Sequence, residues 1–160
     1  MKTTTLTLLL LITTISFSPA QSDSFQTLRE KFSGRKNTFC FGTSGFFART
    51  ALWMAGEYEY IEAIEEVKSI RVIVIPKSSF QRLGLTVDGY KKFVAKDSFE
   101  KLAHMKDHGD DVAVYIQETN SRHNRYQVIV ESGDEVVVVE VKGYIDPGIL
   151  LKKDCDLAYH

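Results

Sequence analysis

Apolar residues recur at intervals of three and four through Phe25, Leu28 and Phe32, the spacing of one helical face, and Gly34 closes that segment. A helix is expected over residues 24–32. Thr38-Phe39-Cys40-Phe41 reads as a short strand, and Gly42-Thr43-Ser44-Gly45 as a polar turn with residues suited to capping a helix at its C-terminal side. Residues 46–55 then read as helix. Beyond Gly56, Tyr60, Ile61, Ile64 and Val67 line one side of an otherwise acidic segment, so a second, amphipathic helix is expected over residues 57–68.

Residues 70–75 are apolar except for Arg71 and rich in β-branched side chains, which predicts a largely buried strand stopped by Pro76. Thr86 can cap a short helix running to about Ala95. Asp97 followed by Glu100 has the spacing of a capping-box variant, and Phe99, Leu102 and Ala103 fall on one side of the segment it opens, so another helix is expected to end near Gly109.

The last third changes character. Three β-branched runs, 112–116, 126–130 and 136–141, are separated by polar residues, with Ser132-Gly133-Asp134 short enough for a hairpin and Thr119 to Asn124 a longer link. Asp146, Pro147 and Gly148 end the sheet, and Ile149, Leu150 and Leu151 can begin a terminal helical turn. The pattern describes a single α+β domain, a mostly antiparallel sheet of about five strands with helices packed on it.

Alternation along these strands carries a further message. A sheet with one solvated face should read apolar and polar in turn. Instead Val137, Val139 and Val141 oppose Val136 and Val138, and Val112, Val114 and Ile116 oppose Ala113 and Tyr115. Apolar side chains therefore fill both faces of at least two strands. Either helices or the C-terminal tail cover the second face, or Val137, Val139 and Val141 belong to an interaction face that takes an envelope protein, an apolar ligand or a second copy in a homodimer.

The first residues change the picture of where the domain works. Met1 and Lys2 precede a nearly uninterrupted apolar stretch from Leu6 to Phe17, followed by Ser18, Pro19 and Ala20. This is the order of a signal peptide, with small residues one and three positions before a cut after Ala20. About a dozen apolar residues fall short of the ~20 that a helix needs to span a bilayer, so no stable membrane anchor is expected. Residues 1–20 thus read as signal peptide and 21–160 as the single exported domain, periplasmic or extracellular after cleavage. The chain carries 20 Lys and Arg against 21 Asp and Glu, and losing Lys2 with the leader makes the balance more acidic. Such a domain has no net positive field for phosphates, and nucleic acid is not an expected partner. Cys40 and Cys155 lack zinc-type or thioredoxin-type spacing. In an oxidising compartment they can form one long-range disulfide, and two separately buried thiols are the alternative. Alternation is expected to place Cys40 on the face away from the helices, opposite Phe39 and Phe41.

The order of pieces resembles a family of secreted proteins of Gram-negative bacteria catalogued as domain of unknown function 4252. The resemblance rests on the leader before a short Phe-rich strand, on Ser69-Ile70-Arg71-Val72-Ile73-Val74 after an acidic helix, and on Phe99-Glu100-Lys101-Leu102 leading through Gly109-Asp110-Asp111 into Val112-Ala113-Val114-Tyr115-Ile116. The closing Val139-Glu140-Val141-Lys142-Gly143-Tyr144-Ile145-Asp146 is similar too. It implies the fold and an exported location, and it transfers no site residues. It also implies an accessory role in envelope-stress signalling as one reading of function.

No catalytic, cofactor-binding or metal-binding residue is assigned from the sequence. Phe41-Gly42-Thr43-Ser44-Gly45-Phe46 lacks the second glycine of a serine nucleophile elbow, and no phosphate-loop spacing is present. His104 and His108, four apart on the expected helix, are two ligands where zinc needs three or four. Glu57, Glu59, Glu62, Glu65 and Glu66 read as a solvated face. Arg122, His123 and Arg125 read as a solvated loop. The function expected is a non-catalytic binding or interaction module of the cell envelope, with a small exported hydrolase or isomerase as the alternative. Export is checked directly: N-terminal sequencing of the secreted protein should begin at Gln21, and a membrane-retained product still carrying Leu8 to Ile12 would refute it.

Overall fold

In the computed structural model the described residues are 22–56, 61, 64–119 and 124–145. Ser22 caps α1 (Asp23–Phe32), its hydroxyl accepting from the Phe25 amide, and the helix turns Phe25, Leu28 and Phe32 inward. β1 (Phe39–Ser44) runs straight into α2 (Gly45–Ala55). The residues expected to form a turn, Gly42 to Ser44, continue the strand, because they pair with Ser69 to Arg71 on the neighbouring strand. Half of the helix expected over 57–68 lies outside the described residues; within it Ile64 to Glu66 form a turn, and its last positions, Val67 and Lys68, open β2 (Val67–Pro76). Two short helices follow, α3 (Lys77–Arg82), which the apolar pattern did not announce, and α4 (Val87–Lys96), capped by Thr86 as its sequence predicts.

The segment after α4 departs from expectation. Residues 100–107 form β3 (Glu100–Asp107), not a helix, and pair with β4 (Asp110–Gln117). Glu100, Lys101, Leu102, Ala103 and Met105 are all good helix formers, so local propensity favours helix here. Tertiary pairing overrides it. His108 and Gly109 both take positive φ, 46° and 98°, giving the two-residue turn whose twist suits a hairpin. Asp97, expected to start a helix, instead follows the last residue of α4 and accepts a hydrogen bond from the Ser24 amide at 2.8 Å. β5 (Asn124–Ser132) and β6 (Glu135–Gly143) complete the chain of strands.

The sheet has six strands in the order β1-β2-β6-β5-β4-β3, every neighbouring pair antiparallel, in one α+β domain. α1, α3 and α4 cover one face. Phe25, Leu28, Phe32, Phe80, Tyr90 and Val94 from these helices pack on Ile73, Ile75, Ala113, Tyr115, Ile129, Val136 and Val138, with the Phe32 and Phe80 rings 4.9 Å apart. That burial supplies the apolar driving force for the fold. No described helix is long and apolar enough to cross a membrane.

The register also corrects the facing of Cys40. It lies opposite Ile73, hence on the helix side, while Phe39 and Phe41 pair with Val74 and Val72 on the other. The apolar rings do not choose the covered face here because α1, α3 and α4 do not shield the edge strand: Cys40 is exposed, and Cys155 lies outside the described residues.

Two glycines tie the sheet end together. A Cβ on Gly45 would stand 1.7 Å from the Val67 carbonyl oxygen, and one on Gly143, whose φ is 138°, 2.3 Å from that of Glu66. Gly143→Ala should therefore destabilise the protein by about 2–4 kcal/mol, combining backbone strain with overpacking. Urea denaturation of the variant measures this, and an unchanged midpoint would refute it.

Candidate functional site

Pairing opposite residues across six strands puts them on a common side, and on the covered side this assembles a polar row that the apolar pattern hid. Arg71 lies opposite Glu140, and Glu140 opposite Gln127. Arg71 Nη1 approaches Glu140 Oε1 at 3.3 Å. The Ser22 hydroxyl and amide both donate to Glu140 Oε2. Gln127 Nε2 donates to the hydroxyls of Ser22 and Ser24 at 2.8 and 2.9 Å, and Tyr90 donates to Gln127 Oε1 at 3.1 Å. Burial first, then the charges of Glu140 and Asp97, push the Tyr90 phenol well above its usual range. Glu140 and Gln127 thereby bind the first turn of α1 to the middle of the sheet. A signal for this was present: Glu140 interrupts the inward row Val136, Val138.

A buried carboxylate beside a cation, serines and a tyrosine has the ingredients of acid–base chemistry. Its partners, however, occupy it. A cleft of about 340 Å³ between α1 and α4 is lined by Leu28, Lys31, Phe80, Leu85, Tyr90 and Phe93, and it touches neither Glu140 nor Gln127. A second, of about 440 Å³, lies beside Lys77, Asp88, Lys106, Asp111 and Glu131, again away from that row. The row's geometry is that of a clamp.

The second cleft borders a charged cluster. Lys91 of α4 donates to Asp111 at 2.8 Å and to Glu131 at 2.7 Å, while His104 and Lys106 reach Asp111 at 3.1 Å each. The Lys91 hydrogen bond, aided by Lys106 and His104, holds the Asp111 carboxyl well below the usual carboxylate range. Burial pulls the Lys91 ammonium down, and its two carboxylate partners more than offset this. His104 and His108 therefore share no helical face: His104 meets Asp111, and His108 sits in the hairpin turn against Asp107. Among the described residues no group of three or more His, Cys, Asp or Glu is arranged to hold a metal ion.

The other face of the sheet is different in kind. One row across it runs Phe39, Val74, Val137, Val130, Val112, Met105; the next Phe41, Val72, Val139, Val128, Val114, Ala103; the third Thr43, Ile70, Val141, Tyr126, Ile116, Glu100. Only Thr43 and Glu100 interrupt it, both at edges. The valines are half-buried, whereas Phe41, Phe39 and Met105 at the two edge strands are 52 %, 61 % and 62 % exposed. Val137, Val139 and Val141 occupy the centre, on β6. α1, α3 and α4, the helices that bury apolar side chains in the core, all lie on the opposite side.

Residues 46–150 match the family model described as domain of unknown function (DUF4252). The chain belongs to this family. Among curated proteins and among solved structures, none matches significantly. The DUF4252 match runs from α2 through β6, so α1 and β1 precede it. In this DUF4252 protein the Ser22 and Ser24 contacts to Glu140 and Gln127 fasten the preceding helix onto the matched core, and Phe39 and Phe41 extend the apolar face beyond it.

The charged cluster generates a pH test. Asp111 titrates lower when folded than when unfolded, so its contribution is complete above the ordinary carboxylate value near pH 4 and is lost as pH falls below it. Asp111→Asn should lower the melting temperature at neutral pH and make the wild-type and variant melting temperatures converge toward about pH 2. Parallel pH profiles for the two proteins would refute this.

Proposed function

We propose that this protein is a non-catalytic interaction module of the bacterial cell envelope, acting through the sheet face that carries Val137, Val139 and Val141. The observation that carries the reading is the continuity of that face: two apolar rows cross all six strands and a third crosses the central four. Soluble monomers rarely expose contiguous apolar patches beyond a few hundred Å², and larger ones mark interaction sites. The leader pattern of residues 1–20 supports an exported location. Balanced charge and valine-rich chemistry favour an apolar partner surface or ligand over a phosphate-bearing one.

An enzymatic reading would need a reachable acid or base. Glu140, the most deeply buried carboxylate described, is engaged by Ser22 and Arg71 and lines neither of the two clefts described above. The polar row therefore lends that reading no support.

Replacing Val137 and Val139 by threonine tests the proposal with near-isosteric changes that keep the branched β carbon. Capture of envelope partners on the immobilised variant should fall sharply while thermal stability changes by less than about 1 kcal/mol, because these side chains keep solvent contact in the free protein. If the face is intramolecular core, the pair of buried hydroxyls should instead cost about 2–6 kcal/mol. A destabilised variant with undiminished capture would refute the interaction reading.

A further inference from the structure

We propose that the partner for this face is a second copy of the chain, in a two-fold dimer where α2 of each protomer lies across the open sheet face of the other. The inference rests on the preceding reading of that face and names its occupant. α2 is the second apolar surface of the molecule: Phe46, Phe47, Trp53 and Met54 are 60–71 % exposed, and only Gly45 of the helix is buried. Residues 46, 47, 53 and 54 fall on one side, two turns apart. The helix's single charge is withdrawn from that side's chemistry, since Arg49 donates back to the carbonyls of Ile64, Glu65 and Val67.

Area decides between one surface and both. Strands ~4.8 Å apart and rows ~7 Å apart make the three-row face roughly 500 Å². That is short of the ~800 Å² per partner of a standard stable interface. The exposed parts of four large α2 side chains add roughly another 500 Å². Together the surfaces suffice. Eleven helical residues span about 16 Å, close to the height of three rows, so one helix can cross the strip.

α2 does not fill its own molecule's core. Gly45 abuts Val67, and the Arg49 bonds pin the first turns at the end of β1 and β2. Exchange between two copies covers helix and face simultaneously, as an isologous interface requires. The chain's own C-terminal tail is a poorer occupant, because Ile149, Leu150 and Leu151 are followed at once by Lys152, Lys153 and Asp154. Such a run cannot span six strands, and it would leave α2 uncovered.

Sedimentation equilibrium of the full chain's exported product, over about 1–100 µM, should give twice the protomer mass. Val139→Lys at the centre of the face, and Phe46→Ala with Trp53→Ala on α2, should each weaken dimerisation at least tenfold while the far-ultraviolet spectrum stays near wild type and the melting temperature loses its dependence on protein concentration. Should the lysine variant misfold, Val139→Thr replaces it. Mixing the face variant with the helix variant should give a heterodimer weaker than the wild-type dimer but tighter than either variant's self-association, since one intact helix then meets one intact face. A mixture that associates no more tightly than either variant alone, when each is folded, overturns the exchange. A monomeric wild-type protein whose envelope partner is lost on Val137 and Val139 substitution overturns the dimer and leaves the interaction module standing. A monomer whose partner capture survives those substitutions overturns both.

Discussion

Glu140 stands opposite Arg71 on one neighbouring strand and opposite Gln127 on the other, and this polar row ties the register of the central sheet to the helix above it. Ser22 and Ser24, at the start of α1, satisfy both side chains. Because side chains alternate across a strand, slipping β6 by one residue would move Glu140 to the open face and Val139 or Val141 beneath the helices. The buried Ser22 amide and hydroxyl would then lose their carboxylate acceptor, and leaving a buried polar group without its partner is costly. The row thus stabilises one alignment of an otherwise ambiguous ladder of valines.

From that alignment the two faces acquire different characters. Beneath the helices the strands contribute Ile73, Ile75, Ile129, Val136 and Val138, which together with Phe25, Phe32, Phe80 and Val94 form the core. On the other side equally apolar residues have no described helix of that layer against them. The asymmetry is not compositional. It arises because α1, α3 and α4 all pack on one side.

The edges are treated differently from the centre. β3 is exposed throughout and mixes Glu100, Lys101 and Lys106 with Leu102 and Met105, with a register irregularity between Lys101 and Ala103. Charges and bulges of this kind discourage edge-to-edge pairing between sheets. Growth of the sheet at the β3 edge is thereby disfavoured.

Much of this was legible in the chain. A period of three and four placed α1, Thr86 marked the start of α4, and β-branched runs placed β2, β4, β5 and β6. Alternation of valines in 136–141 revealed that both faces are apolar, because side-chain direction in a strand follows from position alone. Residues 100–107 were not legible, since their helix propensity is local whereas their pairing with β4 is not. Nor was the side on which Cys40 lies, or the company of Glu140: both depend on register, which is set by contacts between residues distant in sequence. The amino-acid order by itself determined where strands and helices could form and that the sheet would have two apolar sides. Only tertiary structure decided which side the helices cover, because either side offers similar apolar burial and the choice rests on where Glu140 and Gln127 find partners.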